Sequence, residues 1–230
     1  MALSKIKAIA FDADDTLWEN ETLFRETEQQ FCVLLKDYIE EETCNRLLFE
    51  VEMKNLPLYG YGIKPFTLSL IEAAIQFSDG KLPVSIIEKI IHIGKEMLHA
   101  PVVLIDGIEE TLHYLTAQYR LVMATKGDLL DQERKLIKSG LEPYFHHIEI
   151  VSDKTPKQYQ KLVTHLDIQP SEFLMVGNSV KSDILPVLEI GGHGFHIPFH
   201  TTWAHEVVKE PVEHPQFRLL SKATEMMELL

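Results

Sequence analysis

Residues 9–18 read IAFDADDTLW, and this stretch decides the fold. A short apolar run ends at Phe11, as is typical of a buried strand, and three carboxylates follow within four residues: Asp12, Asp14 and Asp15. Such a concentration of negative charge at a strand end is unfavourable unless a cation or a proton relieves it. Folding alone gives no reason to build it, so the stretch indicates a site for a bound metal and a phosphate ester.

The rest of the chain divides into two patterns. Apolar residues recur at helical spacing in four segments, at 20–40, 43–55, 66–78 and 84–99. From residue 101 onward short apolar strands alternate with helices, which is typical of a parallel α/β sheet. We therefore expect a Rossmann-like α/β core with helices on both faces, formed by 1–18 and 101–230, and an inserted all-helical cap over 19–100.

Polar side chains stand at the ends of the predicted strands. Asp12 follows the first strand, Thr125 the second and Lys154 the third, while Asn178 and Asp183 follow the fourth. The carboxyl ends of parallel strands meet at one edge of a sheet, where open α/β sheets bind ligands. These residues are therefore expected to form one site, over which the helical insert would close.

The set of motifs resembles the haloacid dehalogenase-like (HAD) hydrolase superfamily, in its phosphatase branch with a helical cap after the first core strand. FDADDT at 11–16 resembles its first motif, DxDx[TV], and GNSVKSD at 177–183 resembles its fourth, GDxxxxD. Thr125 in LVMATKG and Lys154 resemble the second and third. The resemblance covers the whole chain.

The resemblance implies catalytic roles for four residues. Asp12 would be the nucleophile, and Asp14 would protonate the leaving oxygen and then activate the hydrolytic water. Thr125 would hydrogen-bond a phosphoryl oxygen, and Lys154 would neutralise both the phosphate and Asp12. Lys157, already inside the next helix, stays open as the alternative lysine.

Mg²⁺ is the expected cofactor, because it is a hard cation that prefers oxygen ligands and keeps several waters. Asp12 and Asp183 are the expected carboxylate ligands, joined by the backbone carbonyl of Asp14. Asn178 stands where the family commonly has Asp. Its amide would either contact the ion or accept a hydrogen bond from a metal-bound water.

Two further groups of residues are candidates for substrate binding. Lys126 and Gly127, which follow the second strand, are expected to bind the phosphoryl group, Lys126 through its backbone N–H. The segment NLPLYGYGIKP contains Tyr59, Tyr61 and Lys64 and is predicted to be a loop. It is either an interhelical turn with surface aromatics or a substrate-sensing loop whose tyrosines stack on a ring such as a nucleobase.

The amino-acid composition indicates which kinds of molecule this protein can bind. The formal net charge is −13 and no Lys/Arg cluster occurs, which argues against a nucleic acid polymer or an anionic membrane as a partner. The sequence shows no signal-peptide core and no run long enough to span a bilayer. The two cysteines are expected to be reduced, buried thiols. We expect a soluble, cytoplasmic enzyme with a small phosphorylated metabolite as its partner and no partner protein indicated.

The predicted function is that of a Mg²⁺-dependent phosphatase. It would hydrolyse a small phosphomonoester, such as a nucleotide or sugar phosphate, through an aspartyl-phosphate intermediate. A phosphomutase of the same superfamily is the first alternative, because the core motifs do not separate the two reactions. A 2-haloacid dehalogenase and a non-enzymatic phospho-receiver-like module are weaker alternatives.

Overall fold

The computed structural model describes residues 3–230, which fall into two compact units. The first unit comprises the N-terminal segment through Glu21, Val102–Lys126 and Arg134–Leu230, and the second comprises Thr22–Pro101 and Gly127–Glu133. The first contains the sheet and the second contains the helices predicted between residues 20 and 99. That the second unit acts as a cap stays a prediction.

The first unit is built on a six-stranded sheet in which every pairing is parallel. Its strands are β1 (Ala8–Phe11), β2 (Arg120–Lys126), β3 (His147–Val151), β4 (Phe173–Gly177), β5 (His193–His196) and β6 (Phe217–Leu219), in the order β3-β2-β1-β4-β5-β6. The expected Rossmann-like α/β fold is confirmed. No strand was expected at β6, because three residues are too few to show an alternating pattern.

Helices cover both faces of this sheet, as the sequence predicts. The helices of the chain are α1 (Glu21–Leu34), α2 (Glu41–Tyr59), α3 (Ile63–Phe77), α4 (Val84–His99), α5 (Ile108–Leu115), α6 (Leu129–Ser139), α7 (Pro156–His165), α8 (Leu185–Glu189) and α9 (Met226–Leu229). Alternate residues of β1 point to opposite faces, so Ile9 packs in one cluster with Leu112 of α5 and Ala10 in another with Val163 of α7. No helix within residues 3–230 combines the length and the apolar composition that crossing a bilayer requires.

The helical unit has its own apolar core. Phe31, Leu48, Leu70 and Ile90, one from each of α1 to α4, are all buried in it. The two cysteines, Cys32 and Cys44, are buried there too and are not joined in a disulfide, as expected.

The length predicted for the loop between α2 and α3 is wrong. It was expected to run from residue 55 to 65, but α2 continues to Tyr59 and α3 begins at Ile63. Pro65 lies in the first turn of α3, where its missing N–H would have had no partner inside the helix. Pro57 lies in the last turn of α2. Prolines at helix ends therefore gave a false signal of a long loop.

Gly127–Glu133 groups with the helical unit, whereas the sequence pattern predicts it as part of the core. Within that unit Lys64 Nζ lies 2.8 Å from Asp128 Oδ1, an ion pair between α3 and the segment that begins α6. A Cβ on Gly62 would lie 3.3 Å from the backbone nitrogen of Asp128. These local contacts associate the segment with α3.

Candidate active site

Lys154 joins two carboxylates that are remote in sequence. Its Nζ donates to Asp12 Oδ1 and, at 2.6 Å, to Asp183 Oδ1. The Lys154 side chain is 3% exposed and that of Asp183 is 0% exposed, so water contributes little to this cluster. The backbone N–H of Asp12 donates to the carbonyl of Val176 in β4, which fixes the nucleophile candidate at the centre of the sheet edge. Lys157 is instead an exposed residue of α7.

The cluster carries more negative than positive charge. Burial raises the pKa of Asp12, the charge of Asp183 adds to this effect, and Lys154 opposes it. Burial alone would lower the pKa of Lys154, but the charges of Asp12 and Asp183 outweigh it and raise that pKa. When all three groups are ionised, one negative charge remains uncompensated, which is an environment that favours a nearby cation.

The side chain of Asn178 ends beside two oxygens of the first motif. Its amide nitrogen donates toward Asp12 Oδ2 and the backbone carbonyl of Asp14, both at 3.2 Å, and toward Thr16 Oγ1 at 3.3 Å. The Asn178 backbone N–H also donates to Thr16 Oγ1, at 3.1 Å, and the ring of His196 bonds to its carbonyl oxygen at 3.0 Å. Asn178 is thereby held from both sides at the end of β4.

The turn from Gly177 to Asp183 explains why its glycine is needed. A Cβ on Gly177 would lie 2.2 Å from Asp183 Oδ2, because the carboxylate folds back over the backbone of β4. That same oxygen accepts the backbone N–H of Ser179 at 3.0 Å. A π-helical turn at Val180–Ile184 precedes α8, and this turn carries the buried Asp183.

Asp14 is held by two donors that the sequence did not reveal. Its Oδ1 accepts from Trp18 Nε1 at 2.7 Å and from Lys135 Nζ at 2.6 Å. Lys135 also donates to Asn20 Oδ1, at 3.2 Å. Trp18 lies only four residues downstream, but Lys135 lies within α6 and belongs to no motif, so no pattern in the sequence pointed to it.

Asp15 stabilises the turn that leads into α1. Its φ of 60° lies in the left-handed region, and its carboxylate accepts the backbone N–H of Asn20 at 2.8 Å and of Glu21 at 3.0 Å. These are donors at the start of α1 that have no partner inside the helix. Burial raises the pKa of Asp15 to about 7, although the two backbone bonds oppose the rise.

The residues expected to bind the phosphoryl group lie at the end of β2. Thr125 is buried, and the side chain of Lys126 is directed to Glu206 and Ser182 Oγ, the latter at 2.9 Å. Gly127 has a φ of 143°, which favours glycine, and is grouped with the helical unit. Their contacts with a substrate stay predictions.

Two of the three candidates of the helical unit, Tyr59 and Lys64, have partners within that unit. Tyr59 ends α2 and its hydroxyl donates to Glu72 Oε1 at 2.6 Å. Lys64 is the partner of Asp128 described above, and Tyr61 lies in the short connection between α2 and α3. Their role in substrate recognition stays a prediction.

A metal at this site would draw on mixed oxygen donors. Residues 3–230 contain no group of three or more His, Cys, Asp or Glu side chains arranged to hold an ion. The oxygens that converge here are instead those of the Asp12 carboxylate and the Asp14 main-chain carbonyl, which both face the Asn178 amide nitrogen; the Asn178 amide would have to turn for its oxygen to bind an ion. Asp183, the second carboxylate ligand expected from the sequence, uses one oxygen for Lys154 and the other for Ser179, and its contact with a metal stays a prediction.

Comparison with protein families and curated proteins agrees with the motifs. Residues 6–191 match the haloacid dehalogenase-like hydrolase family. The chain is 27% identical over 202 residues to N-acylneuraminate-9-phosphatase of Mus musculus, with 83% of this chain and 82% of that protein covered. It is 25% identical over 198 residues to glyceraldehyde 3-phosphate phosphatase of Methanopyrus kandleri, with 78% of each chain covered.

Solved structures agree as well. A haloacid dehalogenase-like family hydrolase from Xanthomonas campestris is 36% identical, with a TM-score of 0.89 over 98% of this chain and 90% of that one. A HAD-hydrolase from Bacillus subtilis bound to magnesium is 15% identical, with a TM-score of 0.64 over 97% of this chain and 98% of that one. The second likeness shows a shared fold.

Proposed function

This chain belongs to the haloacid dehalogenase-like hydrolase family, and we propose that it is a Mg²⁺-dependent phosphatase that hydrolyses a small phosphomonoester through an aspartyl-phosphate. The observation that carries the proposal is the buried contact of Lys154 with Asp12 and Asp183, beside the convergent oxygens of the first motif. A carboxylate nucleophile, a fixed cation and a second carboxylate are the groups that phosphoryl transfer to a protein side chain needs.

In the first step a carboxylate oxygen of Asp12 attacks phosphorus. The bond between phosphorus and the ester oxygen breaks, and that oxygen takes a proton from Asp14 and leaves as an alcohol. Lys154 stays protonated because two carboxylates surround it, so its charge offsets that of the incoming phosphate. Thr125 and the backbone of Lys126 complete the binding of the phosphoryl oxygens at the end of β2.

In the second step a water molecule attacks the phosphorus of the aspartyl-phosphate. Asp14 takes the proton from that water, the bond between phosphorus and Asp12 breaks, and inorganic phosphate leaves. The bonds from Trp18 Nε1 and Lys135 Nζ hold the Asp14 side chain in place for this proton transfer. Asp14 then carries the proton required for the next first step.

The donor set at the sheet edge fits Mg²⁺. Asp12, the Asp14 carbonyl and Asn178 with its amide oxygen turned inward would hold the ion. Asp183 would join them as the second carboxylate expected from the sequence, or support them through its contact with Lys154. Three protein oxygens suit a cation that retains several waters. When bound, Mg²⁺ supplies positive charge and fixes the orientation of the phosphoryl group. The uncompensated charge around Asp12 supports this assignment.

The relatives favour a phosphorylated sugar or sugar acid as substrate. Two kinds of curated relative are named as phosphatases of N-acylneuraminate 9-phosphate and glyceraldehyde 3-phosphate. Both names describe a phosphomonoester of a sugar or a sugar acid. We propose the same class for this chain, with nucleoside monophosphates as the competing class.

The test is release of inorganic phosphate from a panel of both substrate classes, measured with Mg²⁺ and again with EDTA. Asp12→Asn is expected to abolish release and to leave the unfolding transition in place. Asp79→Asn is a matched control, because the Asp79 side chain is 83% exposed. Replacing Tyr59 and Tyr61 by alanine, and comparing kcat/KM between sugar phosphates and nucleotides, tests the predicted sensing role of these tyrosines.

Three outcomes would contradict the proposal. Phosphate release that is unchanged in Asp12→Asn would reject the nucleophile. Full activity in EDTA would reject the metal. Release of chloride from 2-chloropropionate, or transfer of phosphate that requires a bisphosphate, would replace hydrolysis by dehalogenation or by a phosphomutase reaction.

A further inference from the structure

Glu206 is a buried carboxylate that the proposed reaction does not use. It ends a short 3₁₀ turn at Ala204–Glu206, between β5 and β6, and its side chain is 10% exposed. Its Oε1 accepts from Lys126 Nζ. Its Oε2 accepts from the hydroxyls of Ser179 and Ser182, the latter at 2.6 Å. A buried carboxylate is stable only when such partners compensate it.

These partners belong to two different parts of the candidate site. Lys126 directly follows Thr125 at the end of β2, while Ser179 and Ser182 lie in the turn that carries Asn178 and Asp183. Lys126 Nζ also donates to Ser182 Oγ at 2.9 Å, which closes a ring of three polar side chains with Glu206, to which Ser179 adds a further bond. Glu206 therefore connects the end of β2 to the turn that follows β4, across the position of β1.

The contacts continue from this ring to the nucleophile. Ser179 Oγ accepts the backbone N–H of Ser182 at 3.0 Å, and the Ser179 backbone N–H donates to Asp183 Oδ2. Asp183 then holds Lys154, which holds Asp12. A shift of Ser179 would consequently be transmitted to the charged cluster by an unbroken series of hydrogen bonds.

We propose that Glu206 is a positioning residue for the reaction, which fixes the turn between Asn178 and Asp183 relative to the end of β2. It acts on the metal ligand Asn178 and on Lys154 through Ser179, and it does not touch the substrate. This inference rests on the proposed function and adds to it a residue outside the four motifs, 23 positions beyond Asp183.

The electrostatics of Glu206 agree with a permanently charged anchor. Burial opposes ionisation, but the charge of Lys126 and the bonds from Lys126, Ser179 and Ser182 outweigh it and lower the pKa of Glu206 to about 2. The carboxylate is therefore ionised at any pH at which the enzyme would work, and it accepts all three donors at once.

The experiment compares Glu206→Gln with Glu210→Gln, an exposed control four residues away. Glutamine keeps the size of the side chain but replaces one acceptor oxygen by a donor that faces Lys126 or the two serines. We expect kcat to fall at least tenfold with KM changed less than threefold. We also expect the Kd for Mg²⁺, measured by calorimetry without substrate, to rise at least fivefold. Glu210→Gln is expected to match the wild type in all three quantities.

A double variant separates positioning from simple charge neutralisation. Lys126→Met combined with Glu206→Gln removes both charges of the pair, yet leaves the two serine hydroxyls without their shared carboxylate. We expect the double variant to stay impaired in kcat and in Mg²⁺ binding. Recovery of wild-type values would mean that Glu206 only neutralises Lys126, and it would overturn the inference.

A milder variant keeps the inference testable if Glu206→Gln does not fold. Ser182→Ala deletes one of the bonds to Glu206, so it is expected to change kcat and the Kd for Mg²⁺ in the same direction by a smaller factor. Wild-type values in Ser182→Ala, or in a folded Glu206→Gln, would overturn the inference. A wild-type protein that releases no phosphate from any phosphomonoester would instead overturn the proposed function, so the two failures are distinguishable.

Discussion

Replacing Lys154 by methionine is expected to destabilise the core unit as well as to inactivate it. The substitution keeps the length of the side chain but removes a charge that is buried between Asp12 and Asp183. Removing one partner from a buried ion pair costs about 3–5 kcal/mol, because the remaining charge is left uncompensated. Here two carboxylates lose their shared cation, and Asp183 is completely buried, so we expect a value near the upper end of that range.

The assay measures the free energy of unfolding by urea denaturation in EDTA, monitored by circular dichroism. Phosphate release is measured separately in Mg²⁺. Lys157→Met is the matched control, because Lys157 is exposed on the first turn of α7 and is the lysine that the sequence left as an alternative. It is expected to change the free energy of unfolding by less than about 0.5 kcal/mol, as for ordinary surface substitutions.

A second variant tests the cause of the destabilisation. Lys154→Met combined with Asp183→Asn removes one of the two unpaired charges, so it is expected to regain part of the lost stability without regaining activity. A decrease of less than about 1 kcal/mol in the free energy of unfolding of Lys154→Met would contradict this explanation. The explanation is also refuted if Lys157→Met, and not Lys154→Met, abolishes phosphate release.

Three further changes test separate parts of the site. Gly177→Ala would place a Cβ 2.2 Å from Asp183 Oδ2, so we expect the free energy of unfolding, measured by urea denaturation, to fall by at least about 2 kcal/mol. An unaltered denaturation midpoint would contradict this packing. Asp15→Ala removes the acceptor of two N–H groups at the start of α1, so it should lower the free energy of unfolding by about 1–2 kcal/mol. Asp15→Asn keeps an acceptor and should be closer to the wild type in stability. Equal losses of stability in both variants would argue against capping. Because the pKa of Glu206 is lowered from 4.5 to about 2, its ionised form stabilises the fold above pH 4.5 by about 3 kcal/mol, and this contribution is lost as the pH falls toward 2. The free energy of unfolding of Glu206→Gln should therefore differ most from the wild type at pH 7 and least near pH 3, and a constant difference would contradict the assignment.

The sequence predicted the α/β core because local patterns carry that information. Buried parallel strands such as β1 and β4 are continuous apolar runs, and each is followed at once by polar residues. Asp12, Lys154 and Asp183 could be expected at one sheet edge because parallel strands must all end on the same side. What local patterns misjudged were helix ends, since Pro57 and Pro65 are tolerated in terminal turns.

The tertiary structure decided which side chains partner one another. Lys135 and Glu206 belong to no spacing rule, and the first motif does not show that its Thr16 bonds to Asn178. These side chains hold Asp14, the turn before Asp183 and Asn178. Hydrogen bonds between residues far apart in the sequence depend on how helices and loops pack over the sheet, and a single sequence does not encode that arrangement in any short pattern. The sequence by itself determined the kind of chemistry, through the charges it concentrates at strand ends. Only the fold determined the partners of those charges, because burial makes each unpaired one costly and so selects its neighbours.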